Sequence, residues 1–361
     1  MVLIMSCMGW AARSEDADIP LWLPFWEHSA ELRLNTGYKD NVLLSHNAAE
    51  SSPFLGTGLE MIFWRLFGLD TKFEFFVTAD DRHYLSARST DKEQTAFGLV
   101  QVKKSFSERL YGSMAAEYLY QDQLLDVSAT EASLQTVRVR GHTIIARPTL
   151  RHDSGDSWLE LQLPVQRQYL DQPLDDYWEA NARLVWGFPF GNKSEFTITY
   201  EFGRRWYDHD EALAADGSII PGTHREFRQQ EARLAWRQNW DQKRRWRTTT
   251  RVSARINQDN GSGYFDYLRG QFSEQVRFAG DKWDVQAEVK IGRYDFPLQT
   301  ASTTDLSRRW RTEAEFSLRC ERKMAKSWKI FADYSHERTL ANRSIEEYSV
   351  NTVSGGLNWD F

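Results

Sequence analysis

Long stretches of this sequence alternate between apolar and polar residues, and this alternation is the feature that most constrains the fold. A period of two places the two sets on opposite faces of a β-strand. In residues 283–291 the apolar set is Trp283, Val285, Ala287, Val289 and Ile291, and the polar set is Asp284, Gln286, Glu288 and Lys290. A packed core does not accept such charge, because burying an unpaired ion costs several kcal/mol. One face therefore meets water, and we expect the other to meet lipid.

The carboxy-terminal stretch, YSVNTVSGGLNWDF, repeats the alternation and ends on an aromatic residue. Its apolar phase is Val353, Gly355, Leu357, Trp359 and Phe361. The stretch resembles the closing strand of bacterial outer-membrane β-barrels, in which a terminal Phe is the insertion signal. The resemblance implies that Leu357, Trp359 and Phe361 are recognised by the barrel-assembly machinery. Because an edge strand of a soluble β-sandwich would show the same local pattern, the rest of the chain must decide.

Composition excludes several classes of protein. The chain has 361 residues, a mean hydropathy of −0.61 and no run of about 18 apolar residues, which excludes a membrane-spanning helix. A membrane β-barrel remains compatible, since its strands are only half apolar. The net charge of −6 argues against nucleic acid as the main partner. Motifs for metal, cofactor or nucleophilic catalysis are absent from the sequence, so we predict no cofactor, no metal and no enzymatic activity.

The connections between candidate strands alternate between short and long. The short turns lie at residues 68–71, 107–109, 153–156, 191–194, 241–243, 280–281 and 324–326, and the longer loops at residues 46–53, 86–93, 122–133, 171–176, 208–224, 258–266, 297–306 and 340–347. Outer-membrane barrels have an even number of strands, short periplasmic turns and longer extracellular loops. We therefore predict an all-β fold, a closed antiparallel transmembrane β-barrel of about 16 strands over residues 31–361, with both chain ends on the periplasmic side.

Tryptophan, with 15 copies, concentrates at the ends of the predicted strands. Those near short turns or the carboxy-terminus are Trp158, Trp186, Trp240, Trp246, Trp283, Trp328 and Trp359, and those near the opposite ends are Trp178, Trp206 and Trp310. Tryptophan is enriched at both interfaces between membrane and water. The two sets therefore predict a periplasmic and an extracellular aromatic girdle.

The amino-terminus has the composition of a processed leader. Residues 1–16 contain a short apolar run followed by small and then acidic residues, as at the end of a secretory signal, but lack its basic start. We predict a residual signal peptide there and a periplasmic lead-in, rich in Pro and Trp, over residues 17–30. Cys7 falls in the leader. Cys320 falls on an apolar phase, which predicts a small lipid-facing residue.

The predicted inner face is rich in arginine, with carboxylates interspersed. The candidate lumen-lining residues are Arg233, Arg237, Arg247, Arg251, Arg255, Arg269, Arg277, Arg311, Arg319, Glu195, Glu201, Glu231, Glu288, Glu313 and Glu315. A cationic wall facing acidic residues creates a transverse field that orients dipolar solutes and biases ion selectivity. The alternative is mutual salt bridging that only solvates the lumen.

Over residues 31–361 the chain resembles the general diffusion porins in strand count, length, alternation of turns and terminal Phe. The resemblance implies a channel for small hydrophilic or anionic solutes, saccharides among them, in the outer membrane of a Gram-negative bacterium. Outer-membrane lipid would surround it, and a homotrimer or a periplasmic partner stays open.

The constriction of the predicted pore departs from the porin pattern. In those porins the third outer loop folds inward, whereas the corresponding loop here, residues 122–133, is short, although Asp122, Asp126 and Glu131 are acidic. The fifth loop is the longest and is the better candidate to narrow the pore. The residues that mark it are Asp208, His209, Asp210 and His224.

Two further resemblances give alternative functions. Residues 37–42, with the pattern GY-D-NV, resemble barrels linked to exopolysaccharide export and surface-lipoprotein assembly. They imply a lumen that carries a polymer or is plugged by a partner. Asp208-His209-Asp210, together with Asp80 and Asp81, resembles the Asp/His arrangement of outer-membrane aspartyl-type proteases, where a His flanked by carboxylates activates water. A solvated or cation-binding loop explains the same residues.

Overall fold

The chain forms a closed antiparallel barrel. The computed structural model describes residues 26–131, 136–190, 194–302 and 304–361. Within them one sheet of 17 strand segments closes on itself, because β1 pairs with both β2 and β17. The segments are β1 (Glu27–Lys39), β2 (Ser52–Phe67), β3 (Thr71–Tyr84), β4 (Lys92–Ser107), β5 (Leu110–Asp126), β6 (Thr136–Asp153), β7 (Trp158–Gln162), β8 (Val165–Leu170), β9 (Tyr177–Phe190), β10 (Ser194–Tyr207), β11 (Glu226–Asn239), β12 (Trp246–Asp259), β13 (Tyr267–Ala279), β14 (Trp283–Thr300), β15 (Arg308–Lys323), β16 (Trp328–Ala341) and β17 (Tyr348–Asp360).

Segments β7 and β8 are two halves of one barrel strand, so the barrel has sixteen strands and the predicted fold is confirmed. Both halves pair with β6 and β9 in an unchanged register. The gap coincides with Pro164, and Leu163 beside it donates to the carbonyl of Pro148 in β6. Proline has no N–H for the strand ladder. Two prolines on neighbouring strands therefore interrupt the ladder without shifting it.

Apolar side chains cover one face of the sheet, here called the outer face, and the opposite face is called the inner face. Along β9, Trp178, Leu184 and Trp186 are exposed on the outer face, whereas Glu179 and Arg183 on the inner face form ion pairs. A continuous exposed apolar belt of this kind marks a surface that meets membrane. Among the described residues, no helix has the length and apolar character needed to cross a membrane.

Trp158 corrects the predicted aromatic girdle. Its ring lies on the inner face over Gly187, which has no side chain to occupy that space, and Arg151 stacks on the ring at 4.3 Å. The other six tryptophans predicted near short turns stay exposed at that rim. Trp328 and Trp359 stack with ring centroids 5.6 Å apart beside Phe361.

The barrel begins slightly earlier than predicted. β1 starts at Glu27, because residues 27–30 pair with Met61–Trp64 of β2. The predicted leader and most of the lead-in, together with Cys7, lie outside the described residues. Cys320 lies on the outer face of β15, where its register partners are Val285 and Ala332.

Candidate channel lining and constriction

All nine predicted arginines and all six predicted glutamates lie on the inner face, in strands β10 to β15. Seven of the arginines belong to β11, β12 and β13: Arg233, Arg237, Arg247, Arg251, Arg255, Arg269 and Arg277. The inner positions of these three strands hold only two carboxylates. One is Glu231. The other is Asp259, the last residue of β12, which accepts hydrogen bonds from backbone amides of the loop that follows. This sector of the wall is therefore cationic.

Ion pairs neutralise most of these arginines. Glu231 is shared by Arg233 and Arg255. Other carboxylates come from neighbouring strands and from one strand further: the pairs are Arg237–Glu195, Arg277–Asp284, Arg251–Glu288 at 3.8 Å, Arg269–Glu313 at 3.7 Å and Arg319–Asp333 at 3.0 Å. Glu201 pairs with Arg183 and Glu315 with Lys290. Mutual salt bridging thus accounts for most of the predicted lining.

Arg247 is the exception among the nine arginines. Within the described residues its side chain forms neither an ion pair nor a hydrogen bond. It lies directly opposite Arg277 in β13, near Arg237 and Arg251. Asp284, a carboxylate whose charge acts on Arg247, already binds Arg277. A guanidinium without a counter-charge therefore stands among three others, close to the rim of the short turns.

The described part of the third outer loop, residues 127–131 after β5, reaches side chains on the other side of the barrel. Asp126 pairs with Arg311 of β15 at 2.8 Å, and the Ser128 hydroxyl accepts a hydrogen bond from the same guanidinium at 2.8 Å. Six strands separate β5 from β15 along the sheet: β16, β17 and β1 to β4. The loop is short, as the sequence indicates, yet it contacts the opposite wall, and the choice of the fifth loop as the constriction stays a prediction. Arginines of the opposite wall bridge the distance that a short loop leaves.

Two more arginines anchor the same loop. Arg309 is 1% exposed; it donates to the Ser128 carbonyl at 3.2 Å and to Gln299 at 2.7 Å, and it pairs with Glu346 at 2.9 Å. Arg225 donates to the Thr130 carbonyl and pairs with Glu131, both at 3.1 Å. Its guanidinium stacks 4.1 Å above Tyr207, in a buried cluster with Leu213, Phe227 and Phe265. The loop is held from two sides.

The fifth outer loop packs among its neighbours. His209 hydrogen-bonds Asp175 of the preceding loop at 2.9 Å, and Asp208 accepts from Arg167 at 2.8 Å. The hydrogen bond to Asp175 raises the pKa of the exposed His209 imidazole. Asp210 pairs with Arg225, while the His224 carbonyl accepts a hydrogen bond from Asn260 in the next loop at 2.8 Å. Among the described contacts of these four residues, Asp210 alone connects them with the third loop, through Arg225.

The residues of the protease alternative are not brought together. Asp80 pairs with Arg33, and Asp81 hydrogen-bonds His83 and Gln94. Asp80 and Asp81 belong to β3, whereas His209 lies beyond β10, on a different part of the barrel. In the described part of the chain no cluster of three His, Cys, Asp or Glu residues suits a metal ion.

Arg225, Arg309 and Glu346 are the site residues that sequence reasoning missed. Arg309 has the inner phase of its strand, as Arg311 does, and that period was the available signal. The local sequence gives no sign that these arginines contact the third loop, which follows a strand on the other side of the barrel.

Comparison with known proteins supports the fold. No family model matches the chain, and no curated protein sequence does so significantly. Among solved structures, OccAB1 of Acinetobacter baumannii matches with a TM-score of 0.53 and 9% identity, covering 96% of this chain and 99% of that one. OccAB3 of the same organism gives 0.51 and 11%, covering 94% and 100%, and OccK8 (OprE) of Pseudomonas aeruginosa gives 0.51 and 9%, covering 93% and 98%. The chain is similar to these proteins in fold, that of a porin-like outer-membrane β-barrel.

Proposed function

We propose that this chain is an outer-membrane channel that passes small hydrophilic solutes passively and favours anions. The observation that carries the proposal is Arg247, a guanidinium on the inner face without a counter-charge and directly opposite Arg277. Paired arginines contribute little to the field of a pore, because each is cancelled within a few ångströms. An uncompensated arginine supplies a fixed positive potential.

The size of this potential suits selective passage. A monovalent anion about 4 Å from a guanidinium gains about 1 kcal/mol in bulk water and about 4 kcal/mol at an effective dielectric constant of about 20. A wide, wet lumen lies near the lower value. That is enough to bias permeation about fivefold and too little to trap the solute, as conduction requires.

The third loop supports the restriction to small solutes, because it runs from β5 to contacts on β15 and at Arg225. The same observation favours a second candidate, the barrel of an exopolysaccharide-export or surface-assembly system. In that case the anchored loop would close the lumen until a partner displaced it.

Reversal potentials across planar bilayers in a KCl gradient test the proposal. We expect the wild-type channel to be anion-selective, Arg247→Gln to lower the Cl⁻/K⁺ permeability ratio, and Glu231→Gln to raise it by freeing Arg233 and Arg255. The matched control is Arg322→Gln, which removes an arginine stacked on Trp283 at the outer face and should leave the ratio unchanged.

A cation-selective wild type, or an Arg247→Gln channel indistinguishable from it, would contradict the proposed selectivity. Folded protein that never conducts would reject the open channel and support the second candidate.

A further inference from the structure

A carboxyl group lies in the apolar belt of the barrel. Glu274 has the outer phase of β13, between Phe272 and Val276, which are 43% and 36% exposed. Its direct neighbours in register are Thr250 in β12 and Val289 in β14. It is the one charged residue among the outer positions of β13. On a barrel face that meets only lipid, a carboxyl group at this position would be destabilising.

The depth of Glu274 places it inside the hydrocarbon. The aromatic rim of this sector is formed by Trp246 and Phe278, with ring centroids 4.7 Å apart. Glu274 is four residues further along β13, roughly 10 Å deeper for a strand tilted by about 40°. The apolar band of such barrels is about 25 Å tall, so the group sits near its middle.

Neither Glu274 nor Thr250 has a side-chain hydrogen bond or ion pair within the described residues. On the adjoining outer positions, β12 presents Thr248 and Val252, and β14 presents Ala287 and Ile291. None of these is a charged or titratable partner. A polar group in hydrocarbon without a hydrogen bond is unfavourable, and none of the described residues of this chain supplies the missing partner.

We propose that this surface, defined by Thr250 and Glu274, is the contact between two copies of the chain within the membrane. An acceptor and a donor stand side by side on adjacent strands at nearly the same depth. A two-fold axis along the membrane normal between β12 and β13 brings the Glu274 carboxyl of one copy against the Thr250 hydroxyl of the other, and the reverse. The surface is thus complementary to itself, as an isologous interface requires.

The shape of the surrounding face allows close approach. Gly270 is the next outer residue of β13 after Phe272. A Cβ added to Gly270 would meet no atom within 4 Å. Its register neighbour in β12 is Ala254, so two small outer residues lie side by side, two outer positions away from Glu274 and Thr250. Small residues let membrane-embedded helices pack closely, and this pair allows the same at one end of the contact. This inference does not depend on what passes through the lumen.

Single-molecule photobleaching of labelled protein in liposomes, over a series of protein-to-lipid ratios, measures the fraction of dimers. We expect dimers for the wild type and loss of most of them for Glu274→Leu and Thr250→Val. Thr57→Val makes the same change on the outer face of β2, on the far side of the barrel, and should keep the wild-type fraction. Both test substitutions place apolar groups against lipid, so folding, checked by heat-modified gel mobility, should survive.

A wild type that stays monomeric at every ratio would overturn the proposal, as would a Glu274→Leu protein that dimerises like the wild type. Recovery of a different protein cross-linked at position 274 in native membranes, with no self-contact, would also overturn it. Because none of these readouts uses conductance, failure here is distinct from failure of the channel proposal.

Discussion

Replacing Arg309 with leucine is the most direct test of how the third loop is held. Arg309 is 1% exposed, and its guanidinium joins three separate segments. It pairs with Glu346 at 2.9 Å, donates to the Gln299 side chain at 2.7 Å, and donates to the carbonyl of Ser128 in the third loop at 3.2 Å. It also stacks on Phe296 at 4.1 Å. Leucine keeps the apolar contact and removes every polar one.

The expected cost has two parts. Removing one partner of a buried ion pair costs about 3–5 kcal/mol, because the other charge stays buried. Arg343 also approaches Glu346, at 3.6 Å, so we expect the lower end, about 3 kcal/mol. Leaving the buried groups of Gln299 and Ser128 unpaired adds about 1–3 kcal/mol. The double variant Arg309→Leu/Glu346→Leu avoids the first part and should recover about 3 kcal/mol over the single variant.

Urea unfolding in detergent micelles, followed by tryptophan fluorescence, gives the free energy of unfolding of each variant. The matched control is Arg308→Leu, because Arg308 precedes Arg309 in β15 and its side chain is exposed. We expect the control to stay close to the wild type. In bilayers, Arg309→Leu should increase current noise, since the third loop loses its bond at Ser128.

Two results would refute this reasoning. One is an Arg309→Leu barrel as stable as the Arg308→Leu control. The other is a double variant no more stable than Arg309→Leu alone, which would show that the pair with Glu346 is not the source of the cost.

The remaining predictions concern the fifth loop and the barrel seam. Asp175 raises the pKa of His209, so their contact stabilises the folded loop only while the imidazole is protonated. The stabilisation is complete at a pH below about 6.5, the pKa of histidine in the unfolded chain, and is lost as the pH rises through the pKa of folded His209. NMR titration should give a lower His209 pKa in Asp175→Asn, and an unchanged pKa would contradict the assignment. Deleting Phe361 removes its two backbone hydrogen bonds with Ala30 and the predicted insertion signal. We expect less folded protein in membranes, and an unchanged yield would count against that signal.

Most of the barrel could be predicted because its information is local. A period of two fixes which face each residue of a strand takes, and the alternation of turn lengths fixes the hairpin order. The inner position of Arg251 and the outer position of Trp246 follow from that period alone. The split of one strand at Pro164 changed neither register nor strand count, which is why it could pass unnoticed.

The third loop could not be predicted, because what decides its path is not local. Its described residues contain nothing longer than a glutamate to reach across a barrel. The reach comes from Arg225, Arg309 and Arg311, which lie almost 100 residues or more further along the chain. The predicted position of Trp158 in the girdle was wrong for a related reason, because its place on the inner face depends on Gly187, a partner on another strand.

Arginine thus serves two purposes on the inner face: it holds the third loop, or it supplies positive potential to the lumen. The number of carboxylates near each arginine decides which. Arg225, Arg309 and Arg311 each meet at least one buried or half-buried carboxylate, so they hold a loop and contribute little field. On β11 to β13 the arginines outnumber the acids, so that Arg233 and Arg255 share Glu231 while Arg247 has no carboxylate of its own. The selectivity of this barrel should therefore follow the local imbalance of charge rather than the number of arginines. Removing Arg247 should change the permeability ratio more than removing Arg269, although both lie on the same wall.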